Sequence, residues 1–366
     1  MRKYLKKILF WGNLVFAISL LISYLANFIS PAGFWHIAFF GLAYSVLLII
    51  NVGFAIFWLW RRRFIAIVSL LPILMGIGYV GRYIQLKPIR HKVGSDNSIK
   101  LLTYNVRLFN LYGWEKGVGV SDSILNYVKR QKADVVCFQE FLTIYDHYKR
   151  SEAYIDSSLA EYPDKHIHYN FKSHRTSEYG IATFSKYPII RRVSIKFKDS
   201  YNICIYSDIA VSHDTIRVFN VHLQSIKLRK NNYNFVDSLI FRFNAKRINE
   251  VKDISGRLKQ AYIKRAKQVD ELNYHIKQSP YPVIVCGDFN DTPVSYTYQK
   301  IRGNMTDAFM SSGKWIGNTY RGNFPSFRID FIFHSKELNT IDYNSDHINL
   351  SDHYPINCTV DLQGNR

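Results

Sequence analysis

Val283-Ile284-Val285-Cys286-Gly287-Asp288-Phe289-Asn290 joins an apolar, β-branched run to a turn that carries a carboxylate and an amide. Such a run reads as a buried strand, and a strand is a rigid base from which to hold Asp288 and Asn290. Asp291-Thr292-Pro293 follows and predicts a tight turn that fixes their backbone. A second string of the same design lies downstream, Ser351-Asp352-His353-Tyr354-Pro355, with the strand-like run 329–333 before it. Acid, amide and imidazole groups displayed on turns after strands are what metal-assisted cleavage of a phosphoester requires.

Outward from these strings, further strand-like runs fall at 99–104, 134–138, 180–184, 203–211 and 215–221, with helical patterns at 123–131 and around 264–276. Residues 193–221 read as an antiparallel meander. The roughly 274 residues from 93 to 366 suffice for one large α/β domain, built as a mixed sheet or two packed sheets flanked by helices. Cys137, Cys204, Cys286 and Cys358 each lie within an apolar run without CxxC spacing, and they read as buried free thiols.

Residues 1–92 are of another kind, with no Asp or Glu, whereas all 28 acidic residues lie from Asp96 onward. Three apolar runs, about 8–29, 34–60 and 64–86, each reach the roughly 20 residues needed to span a bilayer. They predict a membrane domain of three transmembrane helices, with Trp11, Trp35, Trp58 and Trp60 near the run ends as interfacial aromatics. Arg2, Lys3, Lys6 and Lys7 would share the cytoplasmic side with Arg61-Arg62-Arg63, against Lys87, Arg90 and Lys92 beyond the third run. This asymmetry predicts a multi-pass protein of the cell (inner) membrane, with the α/β domain on the non-cytoplasmic side.

The net charge of +20 divides into eleven Lys and Arg with no acid before residue 93, and 37 basic against 28 acidic residues after it. Twelve basic residues fall between Lys227 and Lys267, against Asp237, Glu250 and Asp253. We read about 226–263 as a basic helical insertion. It is either a solvated face or a surface for the phosphates of lipid headgroups or nucleic acid. Its Tyr233, Phe235, Phe241, Phe243 and Tyr262 would pack on the domain or at the membrane interface.

In chain order the second part reads Thr103-Tyr104-Asn105-Val106-Arg107, Phe138-Gln139-Glu140, Asn220-Val221-His222-Leu223, the string ending in Asn290, Arg328-Ile329-Asp330, and the string around His353. These six ordered elements, spanning nearly all of 99–361, resemble the endonuclease/exonuclease/phosphatase superfamily with its DNase I-like fold. The resemblance implies a four-layer α/β sandwich of two packed mixed sheets flanked by helices. It further implies that Glu140, Asn105 and Asp352 hold a divalent metal, Mg²⁺ or alternatively Mn²⁺. Hard carboxylate and carbonyl oxygens suit that ion, which takes only one or two carboxylates.

Asp288 would orient or deprotonate the attacking water, and Asn290 would bind phosphate or position Asp288. Asp330 would orient His353, whose ring points at the phosphate, while His222 would stabilise the phosphorane or protonate the leaving oxygen. Glu178 matches a carboxylate that pairs with that histidine in the DNase branch. His166, His168, His174, His213, His334 and His347 read as structural or exposed. The substrate implied is a phosphodiester, of nucleic acid for a nuclease-type enzyme or of a phospholipid or sphingomyelin headgroup for a lipid enzyme, with the bilayer as the other partner. A catalytically silent, membrane-tethered binding module is the third reading; loss of metal or histidine positions would mark it, and none is missing. The inositol phosphatase signature is absent.

Overall fold

Side-chain alternation along the strands sets the layering of the computed structural model, which describes residues 3–86, 95, 97–145, 148–172, 177–198, 200–226, 245–322 and 327–363. In the strand Ser98–Asn105, Ile99 and Leu101 turn to one face, and Leu102 and Tyr104 to the other. Val283–Asp288 repeats the pattern, with Ile284 and Cys286 opposed to Val283 and Val285. Strands apolar on both faces must be covered on both sides. The inner faces meet in a core that includes Ile99, Leu101, Val218, Ile284, Ile332 and Cys358. Ile124 and Val128 of the helix Val120–Gln131 cover the outer face of one sheet, while Val269 and Leu272 of Ala245–Lys277 cover that of the other. The four layers form a DNase I-like sandwich. All four cysteines are buried and free.

Both sheets have six strands and share one plan. In the first, Ser98–Asn105 and Val135–Ile144 pair in parallel, and the adjacent contacts are antiparallel. In the second, Asp214–His222 and Val283–Asp288 are the parallel pair, flanked by antiparallel Ile203–Val211 and Asp330–His334. A parallel pair needs a crossover, and the helices Val120–Gln131 and Ala245–Lys277 supply them. The parallel strands therefore end, and the antiparallel strand Asp330–His334 begins, on one edge of the sandwich. That edge carries Asn105, His222, Asp288 and Asp330. The two edge strands of the first sheet, Asp164–Lys172 and Asn339–Ser345, lie outside the runs read from the sequence.

The expected insertion at 226–263 differs from the structure. Among the described residues its second half is continuous with the 33-residue crossover helix Ala245–Lys277, so much of its charge rides on a helix required by the topology. Tyr233, Phe235, Phe241 and Phe243 lie outside the described residues, as does His174.

The three straight spans expected at the N-terminus also require correction. Only Tyr4–Leu25, within the helix Lys3–Leu25, is long and apolar enough to cross a bilayer unbroken among the described residues. The second run divides into His36–Leu42 and Tyr44–Trp60, bent by 60° at the break, and would make a second span only if the pair is taken as one. The third is shorter still: Phe64–Met75 carries Pro72, and Gly76 caps it. Its twelve residues rise roughly 18 Å, short of the hydrocarbon core of about 30 Å. Proline lacks the N–H that a helix interior needs, which accounts for Pro31 starting a new short helix after the N-cap Ser30; the third run carries Pro72 inside its helix and stops at Gly76.

These helices dock on the α/β domain through Arg82. Its guanidinium donates to Asn27 Oδ1 and Pro293 O, both at 2.8 Å, and to Gln299 Oε1 at 3.0 Å. It also lies 4.6 Å from the ring centroids of Tyr79 and Tyr298. Gly41 approaches the sandwich so closely that a Cβ there would stand 2.4 Å from Val294 O.

Candidate active site

Asp288 is the hub of the edge just described. The register sets His222 opposite it on one neighbouring strand and Asp330 opposite it on the other. Gly287 makes this fit possible: its φ is +130°, and a Cβ would come within 2.1 Å of Val221 O. Asn290, at φ 54°, turns the chain back so that its backbone N–H donates to Asp288 Oδ1 at 2.8 Å and its Nδ2 to Asp288 Oδ2 at 2.9 Å. Asn105 Nδ2 reaches across from the other sheet to the same Oδ2 at 3.0 Å. Burial nevertheless pushes the Asp288 carboxyl up to about 7; Asp330 adds to the rise, while His353 and these donors oppose it.

The two histidines flank that carboxylate in opposite states. His353 Nε2 is 3.8 Å from Asp288 Oδ2, and its Nδ1 lies 3.1 and 3.0 Å from the two oxygens of Asp330. Burial alone would discharge the ring, but Asp330 and then Asp288 carry its pKa well above the ordinary value. His222 Nε2 is 3.7 Å from Asp288 Oδ2, buried and without a hydrogen-bond partner. Burial, reinforced by His353, pushes it down to about 3. One imidazole is thus held charged and the other neutral.

Glu140 sits at a bulge in Val135–Ile144, at φ 51°, which swings its carboxylate toward His222 Nε2 at 3.8 Å. Its carboxyl is raised by burial and then by the charge of Asp352. Asp352 is met by Arg107 Nε at 3.2 Å. Two carboxylates crowding one another at the mouth of a buried site suit a hard divalent cation, and the donor chemistry fits Mg²⁺. Asn105 fits less simply: its Nδ2 serves Asp288 and its Oδ1 accepts from the Arg107 N–H at 3.1 Å. Asp288, Asp330 and His353 also offer ligand atoms within 4.8 Å of one another. Their atoms are already spent on one another and on N–H donors, which makes them a hydrogen-bonded relay.

Glu178 is buried on Ser177–Ser185, in register with Thr143. The bulge between Phe138 and Phe141 projects Glu140 toward His222, so the carboxylate beside that ring is Glu140. His166 and His334 are structural, bonded to Ser207 and to Thr340, and His347 is an exposed ring stacked on Tyr354. Two further groups were hidden from sequence reading. Buried Arg265 donates to Asn290 O and lies 3.2 Å from Asp291 Oδ2. Ser351 Oγ donates to Asn105 O at 2.8 Å, tying two of the turns together. A helix position within a basic run, or a serine before an aspartate, carries no signal that would single out either.

The site opens into a cleft of about 290 Å³. The model of the Endonuclease/Exonuclease/phosphatase family matches residues 102–353, a span that contains every group above. The chain belongs to this family. A second model, for a domain of unknown function (DUF8431), matches residues 6–83. None of the curated proteins matches the chain. Among solved structures, an endonuclease/exonuclease/phosphatase from Beutenbergia cavernae is 14% identical, with a TM-score of 0.53, covering 73% of this chain and 72% of that one. A family protein from Bacteroides thetaiotaomicron is 15% identical, with a TM-score of 0.51 and coverage of 72% and 97%. The human Nocturnin catalytic domain with bound sulfate is 17% identical, with a TM-score of 0.50 and coverage of 74% and 96%. At these identities the likeness speaks for the fold alone.

Proposed function

We propose that the protein is a divalent-metal-dependent phosphodiesterase, held at a membrane, that hydrolyses its substrate by attack of an activated water. The observation that carries this reading is Asp288: a buried carboxyl raised to about 7, framed by a charged and a neutral imidazole 3.8 and 3.7 Å from its Oδ2. A general base works best with a pKa near the operating pH. Asp288 takes the proton as the water oxygen bonds to phosphorus; the P–O bond to the leaving oxygen breaks, and the departing alkoxide takes a proton from solvent, leaving a phosphomonoester and an alcohol. Asn290 and Asn105 aim the carboxylate. His353, kept cationic by Asp330, faces the charge that develops on the phosphoryl oxygens. His222 is too weakly basic to be the acid, and its unpartnered Nε2 serves as a hydrogen-bonding group for phosphate. Glu140 and Asp352, with Asn105 beside them, would hold Mg²⁺ or Mn²⁺, which when bound neutralises phosphoryl charge.

The membrane reading rests on the outer surface of the N-terminal helices, where Ile8, Ile49, Ile56 and Leu74 are all more than 60% exposed. An apolar surface of that extent needs a bilayer or a partner. Tyr44 packs beside Val294 of the sandwich, and Arg61–Arg63 lie beyond the other end of the 17-residue helix Tyr44–Trp60. The triple arginine and the catalytic domain are therefore at opposite ends of the apolar segment, which supports a non-cytoplasmic catalytic domain by the positive-inside rule. The full chain, purified in detergent, should hydrolyse a chromogenic phosphodiester only with Mg²⁺ or Mn²⁺. Asp288→Ala and His353→Ala should each lower kcat at least about a hundredfold. Full activity in both variants overturns the assignment.

A further inference from the structure

The catalytic groups occupy only one end of their cleft. Its other end is lined by Ile226, by Ile254, Leu258 and Tyr262 of the crossover helix, and by Leu42 of the N-terminal helix His36–Leu42. These side chains form one apolar cluster with Ala38 and Phe39. Leu42 stands immediately before the 60° bend into Tyr44–Trp60, so part of the cleft wall is made by the apolar N-terminal region itself. From the geometry, and resting on the hydrolase reading above, we infer that the substrate is an amphiphilic phosphoester, whose phosphate lies at Asp288 and His353 and whose hydrocarbon chain runs along Leu42, Ile254 and Leu258.

Three features favour a hydrocarbon chain over a nucleic acid strand at this wall. A strand would require free cations spaced for its phosphates. Among the described residues that line the cleft, Arg265 is the lone Lys or Arg, and it is committed to Asn290 O and Asp291. Stacking of bases requires an open aromatic face, but Tyr262 is buried, with its ring 5.8 Å from Phe39. The apolar wall also includes Leu42, whose neighbouring helix Tyr44–Trp60 exposes Ile49 and Ile56, so the cleft adjoins the apolar surface proposed to meet the bilayer.

The test uses the full chain in detergent micelles with Mg²⁺ and a series of alkyl p-nitrophenyl phosphodiesters from methyl to octyl, with a single-stranded oligodeoxynucleotide as the other arm. Each buried methylene should raise kcat/KM by up to about fourfold, so three of them make the octyl ester roughly sixtyfold better than the methyl ester. The partly exposed positions Leu42 and Ile254 allow the variants Leu42→Gln and Ile254→Gln without emptying the core. Micelle partition is common to all the proteins, so a fall of about tenfold in the octyl-to-methyl ratio in both variants supports the inference. A ratio near one in the wild type, or a ratio unmoved in both variants, overturns it. So does rapid cleavage of the oligonucleotide with a flat alkyl series, which makes the enzyme a nuclease and leaves the hydrolase reading intact. Failure to hydrolyse any ester, methyl included, removes that reading and the inference with it.

Discussion

Replacing Asp330 by Asn isolates the contact that decides the charge of His353. Both carboxylate oxygens stand within 3.1 Å of His353 Nδ1, and the amide keeps their shape while removing the charge. Burial disfavours a charged imidazole here, and Asp330 is the largest of the charges that overcome it. At an effective dielectric constant of about 20, a unit charge at about 4 Å is worth roughly 4 kcal/mol. That energy corresponds to about three pH units. Without it the balance shifts toward burial, which lowers the pKa of His353 and favours the neutral ring. The amide can also donate to Nδ1 and turn the ring to the other tautomer. Both effects weaken stabilisation of the phosphoryl charge, and kcat/KM should fall by about two to four orders of magnitude. Initial rates of phosphodiester hydrolysis followed from about pH 5.5 to 9.5 give the second readout, because the alkaline limb should move at least about one pH unit toward acid. Wild-type kcat/KM with an unmoved alkaline limb would refute the role of the Asp330–His353 pair.

Glu140→Gln removes one of two crowded carboxylates and should raise the Mg²⁺ concentration for half-maximal rate by about tenfold or more; the thermal upshift on adding Mg²⁺ to chelator-treated protein should shrink in parallel. Asp288→Asn should abolish turnover and yet stabilise the metal-free fold at pH 8. A carboxyl raised from 3.8 to about 7 binds its proton more tightly when folded, so its stabilisation is full below about pH 4 and is lost as pH rises through 7. The shift corresponds to roughly 4 kcal/mol as an upper bound, and Tm of variant and wild type, compared at pH 5 and pH 8 in EDTA, should diverge at the higher pH. Gly287→Ala should cost more than about 2 kcal/mol, because φ is +130° and the new Cβ meets Val221 O at 2.1 Å; denaturant unfolding measures it.

The catalytic strings were legible in sequence because each is local. An apolar strand followed by a polar turn is written in consecutive residues, and the six ordered strings carry Asn105, Glu140, His222, Asp288, Asp330 and His353 in the order in which the fold uses them. The strands 99–104, 203–211 and 283–286 were legible for the same reason, since strands covered on both faces read as continuous apolar runs. The edge strands Asp164–Lys172 and Asn339–Ser345 are mixed in polarity and gave no such signal. Hydropathy alone also overcounted the spans, because it registers how apolar a run is and not where the 60° bend and the helix end at Gly76 interrupt it.

What the sequence by itself determined was the chemistry on offer: which acids, amides and imidazoles stand at strand ends, and that an acid-free apolar segment precedes them. Only the tertiary structure decided their states and company. The register of three strands sets His222 and Asp330 on either side of Asp288; burial lowers the pKa of both imidazoles, and the charges of Asp330 and Asp288 lift that of His353 alone. A bulge gives His222 the neighbour Glu140. Leu42, far from the catalytic strings in sequence, becomes a wall of the catalytic cleft. Desolvation and contact between distant segments are properties of the packed chain, and no window of consecutive residues contains them.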